Sequence, residues 1–256
     1  MTEKHTDKKN AFQLGFSIFI LLAFFTAAEF FVAISFASTF LLTMLALTKA
    51  SLVLYYYMHI TKLAKAEANE DRESYAYKTG TNRLGLWLFI LSDSFVFGGL
   101  LVTRFSLLGT TRPELEQTLG LIVTAMLLIS SYFMNRAETA IKHGDRKNFL
   151  VSLAITIILG ITFLVGVVGI EWQIAPFGPG DGPEGAVFYA LTGFHAFHVL
   201  TGVIFLLFVF RNGLRGVFDK DEKHWPVEAA AVYWHFIDVV WIIFYPALYL
   251  IGTLHG

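Results

Sequence analysis

The chain has no cysteine, and that one absence removes several chemistries together. Disulfides, thiolate-held zinc, iron–sulfur clusters, CxxCH haem attachment and cysteine-bridged copper are excluded. Charge is scarce as well. Only 15% of the 256 residues are Asp, Glu, Lys or Arg and the formal net charge is −1, so no domain-sized basic face exists and nucleic acid is not a partner. No internal repeat and no strand-like alternation of a membrane barrel is present. What remains is 55% hydrophobic residues and a mean hydropathy of +0.61, delivered in long blocks, which reads as an all-α integral membrane protein.

Seven windows are long enough to cross a bilayer at roughly twenty residues each: about 12–34, 37–60, 84–106, 117–140, 149–170, 186–210 and 228–252. The first lacks a cleavable small-residue site and is expected to be a retained span. Lys4, Lys8 and Lys9 fall on one side of the membrane. So do Lys62, Lys65, Arg72, Lys78 and Arg83, then Arg136, Lys142, Arg146 and Lys147, and finally Arg211, Arg215, Lys220 and Lys223. The other side holds Arg104 and Arg112, while Lys49 lies within a span. The positive-inside rule then places the N-terminus in the cytoplasm and the C-terminus outside.

The last span carries the clearest polar pattern. In V-E-A-A-A-V-Y-W-H-F-I-D-V-V-W, Val227 to Trp241, Glu228, His235 and Asp238 are spaced by seven and three residues and so share one helix face. Each ionisable group at depth costs about 2.5 to 3.5 kcal/mol on insertion scales, so the stripe must face protein, headgroups or water. It implies a partner surface.

Three divisions are expected: residues 1–63 as a two-helix hairpin with a near-minimal turn around Ser35 to Ser38, 64–82 as a charged cytoplasmic linker, and 83–256 as a five-helix bundle. Glu29 and Lys49 are the hairpin's buried charges. Their depths differ by roughly 10 Å, which a lysine stem partly closes by snorkelling. A stabilising pair, a lysine that satisfies backbone carbonyls and a proton-path role all fit them. The loop from Ile174 to Gly185 holds Pro176, Pro179, Pro183 and four glycines, and is expected to form a fixed non-helical turn.

Further polar residues sit in the second unit. Asp93 lies roughly 13 Å inside its span, where it serves either proton supply or interhelical hydrogen bonding. His195 and His198 are three apart on one face, and with His235, Asp238 and Asp93 they could make one polar layer. Two histidines at i, i+3 plus a His and an Asp on another helix also match a metal site. Arg211, Lys223 and His224 cluster at span ends beside Trp225 and Glu228, fitting either an anionic phospholipid or topology signalling alone.

Five ordered stretches resemble subunit III of haem-copper terminal oxidases, the respiratory enzymes that reduce dioxygen. These are R-L-G-L-W-L-F-I-L-S-D (Arg83 to Asp93), G-D-R-K (Gly144 to Lys147), E-W-Q-I-A-P-F (Glu171 to Phe177), T-G-F-H-A-F-H-V-L-T-G (Thr192 to Gly202) and the Val227 to Trp241 run. At Asp93 that family usually carries glutamate. The hairpin segment L-T-K-A-S-L-V-L-Y-Y-Y-M-H-I-T-K, Leu47 to Lys62, resembles the second helix of the small bacterial subunit IV of the same enzymes, through Lys49 and Met58-His59. The resemblance implies a non-catalytic subunit of the bacterial inner membrane that binds subunit I, with subunit II and other subunits nearby. It also implies retained phospholipid in a cleft, with Arg211, His224 and Glu228 as candidates, and support of proton uptake. Subunit III carries no metal or haem, so haem and copper are expected in the partners and its histidines act in packing and hydrogen bonding. The lack of cysteine excludes the copper-binding subunit II itself.

Other classes remain in view. Quinol oxidases and nitric oxide reductase systems have related accessory subunits, and none of the residues above touches the electron donor. A stand-alone proton channel or transporter could use Lys49, Asp93 and Asp238, although no pair of Gly/Pro-broken helices points to a transport site. A stand-alone metal or haem enzyme on His195, His198 and His235 has too few histidines for two haems and a copper, which need about six.

Overall fold

The computed structural model describes residues 2–36, 38–58, 75–218 and 224–253. Seven helical rods are long and apolar enough to span a membrane. Helix α1 is Thr2–Ser35. Helix α2 is Thr39–Leu52, prolonged by a π turn over Val53–Tyr57. Helices α3 (Tyr75–Leu108) and α4 (Gln117–Lys142) follow. Helix α5 (Arg146–Leu164) continues through a π turn, Val165–Glu171, into the short α6, Trp172–Ile174. Helix α7 is Gly182–Leu214, and α8 is Trp225–Tyr245 with a π turn at Pro246–Leu250. An odd number of crossings puts the two chain ends on opposite faces, named here the N-terminal and C-terminal faces. Among the described residues no strand forms, only an isolated bridge between Thr111 and Thr253.

Except for α2 with its π turn, whose described part falls within the 37–60 window, each rod is longer than its apolar window. Residues 75–82, expected in the charged linker, are the first turns of α3, which extends beyond the apolar stretch because nothing there breaks a helix. Helix α7 likewise begins at Gly182, inside the loop expected to be irregular, because Pro183 occupies its first turn, where a missing N–H costs nothing. The rest of that loop is a fixed turn: Gly178 N donates to Asp181 Oδ2 at 2.7 Å and Asp181 N donates to Gly178 O at 3.1 Å. Between α4 and α5 the chain reverses at Gly144, with φ +72°, and Asp145 caps α5 by accepting from Asn148 N at 3.1 Å.

Helix α8 is the axis of the molecule. Of its most apolar window 89% is buried, against 11% for α3. Helix α2 and α4 pack against it on one side and α3 and α7 on another, while α1 runs along α4. Its aromatics need slots cut in their neighbours. A Cβ on Gly160 of α5 would lie 2.5 Å from the Trp234 ring, and one on Gly202 of α7 3.0 Å from it. Small residues at these crossings let the backbones close on the indole. The two indole N–H groups then find hydroxyls on α4, Trp234 Nε1 on Ser130 Oγ at 3.1 Å and Trp241 Nε1 on Thr124 Oγ1 at 2.9 Å.

Candidate functional site

The polar stripe of α8 is covered by the chain itself. His235 is 0% exposed and Asp238 1%, enclosed by α1, α2 and α4, so the outside partner that the stripe implied is not what shields these two groups. His235 Nδ1 lies 2.6 Å from Ser131 Oγ on α4, and its ring packs on Tyr57, centroids 5.0 Å apart. Tyr57 OH donates in turn to Gly15 O at 3.0 Å. The Ser131 hydroxyl that meets His235 also bears on the Asp238 carboxyl, one helix turn further on.

Glu29 and Lys49 do meet. They form an ion pair through Glu29 Oε2 and Lys49 Nζ with both side chains fully buried, and Glu29 Oε1 is left without a partner. The snorkelling stem spans the depth difference between α1 and α2. Lys49 is also close enough to Asp238 to act on it electrostatically.

Asp93 and His198 form a separate cluster on α3 and α7. Asp93 Oδ2 lies 3.0 Å from His198 Nε2, within ion-pair distance but off the axis of the ring N–H. His198 Nδ1 sits 2.7 Å from the Phe194 carbonyl oxygen. A carbonyl only accepts, so Nδ1 carries a hydrogen and Nε2 is the nitrogen that faces the carboxyl. His195, on the same helix, is elsewhere. It is 0% exposed, stacks on Trp241 at 4.9 Å, and neither ring nitrogen has a hydrogen-bond partner. The single polar layer expected of Asp93, His195, His198, His235 and Asp238 is therefore three separate environments, because α8 and its indoles stand between α7 and α4. Among the described residues, no three His, Asp or Glu side chains converge as metal ligands.

Two features escaped the sequence reading. Arg104, counted as a charge of the outer loops, is 0% exposed. Its guanidinium donates to four main-chain carbonyls: Ala247 at 2.6 Å, Ile251 at 2.8 Å, Thr111 at 2.9 Å and Gly109 at 3.0 Å. Arg112 adds a bond to Tyr249 O at 2.6 Å. Together they sew the end of the chain onto the α3–α4 turn. A lone arginine inside the apolar run V-T-R-F was the available signal. The second feature is Glu171, 1% exposed and facing the buried Tyr249 hydroxyl. The sequence reading used it only as a family anchor.

Along α2, α3 and α8 runs an apolar groove of about 500 Å³, walled by Leu54, Leu84, Trp87, Leu91, Val240 and Phe244, with Ser94 its one hydroxyl. From Leu84 to Leu101 it covers roughly 25 Å of helix, at 1.5 Å per residue. At its N-terminal-face end Arg83 holds Glu228 Oε1 through Nη2 at 2.9 Å and Nε at 3.1 Å, and its guanidinium lies 5.9 Å from the Trp225 ring. Glu228 is thus paired by Arg83. Of the other lipid candidates, Arg211 ends α7 with an exposed side chain, His224 immediately precedes α8, and Lys223 lies outside the described residues.

On the same face, outside the spans, Lys8 Nζ donates to Asp145 Oδ2 at 2.5 Å. This bond holds the Asp145 carboxyl down at about 2, with burial opposing it and bonds from Asn148 assisting.

The arrangement defines a class: a helical membrane protein whose polar interior is built from carboxyls, one lysine and imidazoles. Comparison with known proteins gives the family. The family model described as "Cytochrome c oxidase subunit III" matches residues 3–253. Similar proteins include "Cytochrome c oxidase subunit 3" of Rhinoceros unicornis, 34% identical over 229 residues, covering 84% of this chain and 85% of the relative. Those of Gadus morhua and Bos taurus are 38% and 35% identical over 184 residues, 67% of this chain and 70% of each relative. The chain belongs to the cytochrome c oxidase subunit III family.

Proposed function

We propose that the chain is the non-catalytic subunit III of a respiratory haem-copper oxidase in a bacterial inner membrane, with its N-terminus in the cytoplasm. The family match over residues 3–253 carries this reading. Dioxygen reduction takes place in subunit I, where haem and copper reside. This chain docks on it through lipid-depth faces such as the exposed Phe197, Leu200, Ile204 and Phe208 of α7. The bacterial placement rests on the hairpin's likeness to subunit IV, and the orientation on the Lys and Arg alternation.

The groove is suited to a phospholipid. Its wall takes an acyl chain, and the Arg83–Glu228 pair with Trp225 stands at headgroup level, where basic and indole groups favour lipid heads. Arg211, exposed in the last turn of α7, adds to the positive field on that face. Support of proton uptake falls to Asp93 and His198, which face each other at 3.0 Å beside the groove-lining Phe97.

Affinity purification in mild detergent tests the reading. The expected product contains haem-bearing subunits and bound phospholipid, and Arg83→Ala lowers the lipid recovered per haem. A chain isolated with no haem subunit from respiring cells would overturn it.

A further inference from the structure

We propose that α1, α2, α4 and α8 enclose a proton-holding site at Asp238, Lys49 and Glu29, open to proton exchange with the N-terminal face through a polar pocket floored by Tyr57. This goes beyond the reading above, which places proton support at Asp93, and rests on it only for the use to which the proton is put.

Charge counting is the first ground. With Glu29, Lys49 and Asp238 all ionised, the cluster would carry a net negative charge at 0 to 1% exposure, with Glu29 Oε1 lacking any hydrogen-bond partner and Asp238 met, among the described residues, by no hydroxyl other than that of Ser131. Isolated buried charge of that kind is far more costly than a neutral acid, so the cluster holds one proton between its two carboxyls. The groups facing it are Glu29 from α1, Lys49 and Tyr57 from α2, Ser131 and Tyr132 from α4, and His235, Asp238 and Tyr245 from α8.

Access is the second ground. Between α1, the end of α2 and α4 lies a pocket of about 180 Å³, its wall including Asn135, Glu138, Lys142 and His143, with Tyr57 at its inner end. That volume holds several waters. Beyond Tyr57 the His235 ring packs on it, centroids 5.0 Å apart, and His235 Nδ1 meets Ser131 Oγ at 2.6 Å, one helix turn from Asp238. Exchange breaks the carboxyl O–H and passes the proton to a water oxygen, and the reverse step restores it, with no other reactant. Lys49 makes this a well and not a channel. Its fixed positive charge repels a second proton at the middle of the membrane.

Infrared difference spectroscopy on the complex the chain purifies with, transferred from H2O to D2O, tests the proposal. A protonated-carboxyl band that shifts in D2O is expected, and Asp238→Asn or Glu29→Gln removes it. Tyr57→Phe keeps the band and slows its shift. No such band in either difference spectrum, a band that D2O leaves unmoved, or an unchanged rate in Tyr57→Phe would overturn it. Absence of haem subunits from the preparation would instead defeat the oxidase reading and leave the band to be read.

Discussion

Among the described residues two cations are completely buried, Lys49 and Arg104, and they are satisfied in opposite ways. Lys49 is met by a carboxylate on a neighbouring helix, and Arg104 by four main-chain carbonyls at the C-terminal face. A carbonyl cage fixes geometry and cannot change its charge, so Arg104 works as a stitch between the end of the chain and the α3–α4 turn. A carboxylate cage can take up or release a proton. The planar five-donor fork of arginine suits the first task, and the single mobile ammonium of lysine the second.

The comparison can be broken by asking what rescues each cation. Arg104→Met leaves the caged carbonyls without their donors at about 1–3 kcal/mol for each group left unsatisfied, and not additively. It should give the largest loss of thermal stability, with early proteolytic release of the segment after Ala247. No second side-chain substitution should restore it, because the acceptors are backbone. Lys49→Ala should cost about 3–5 kcal/mol by stranding Glu29. Here the double variant with Glu29→Ala should recover much of the loss, and a melting midpoint that stays as low as in the single variant would remove the claimed pairing.

Smaller effects sharpen the same contrast. Gly252 has φ +112°, and a Cβ there would lie 2.6 Å from Thr110 O, so Gly252→Ala should cost about 1–3 kcal/mol and loosen the stitched segment that Arg104 holds. Asp145→Ala should cost about 1 kcal/mol through the lost cap and ion pair. The folded-state value near 2 lies below the ordinary 3.8, so the ionised form is favoured by folding. Its stabilisation is therefore complete above pH 4 and disappears as pH falls through 2. Melting curves of the parent and Asp145→Asn should converge over that window.

The spans and the shared face of Glu228, His235 and Asp238 were legible in the chain, and the Glu29–Lys49 pair was one of the readings that depth and stem length allowed. The site was only half legible. Nothing near Asp93 in sequence points to His198, 105 residues on, and nothing near Glu228 points to Arg83, 145 residues away. Arg104 looked like a loop charge because its acceptors lie in a turn and in a segment 143 residues downstream.

The sequence by itself determined that this is a seven-span helical membrane protein and that Glu29, Lys49, Asp93 and Asp238 fall inside its spans, since hydropathy and the 3.6-residue period act within a single helix. Which groups cover those charges was decided only by the tertiary structure. Partners on different helices are chosen by crossing angles and by the glycine slots that seat the α8 indoles, and these are properties of packed pairs and not of any one segment.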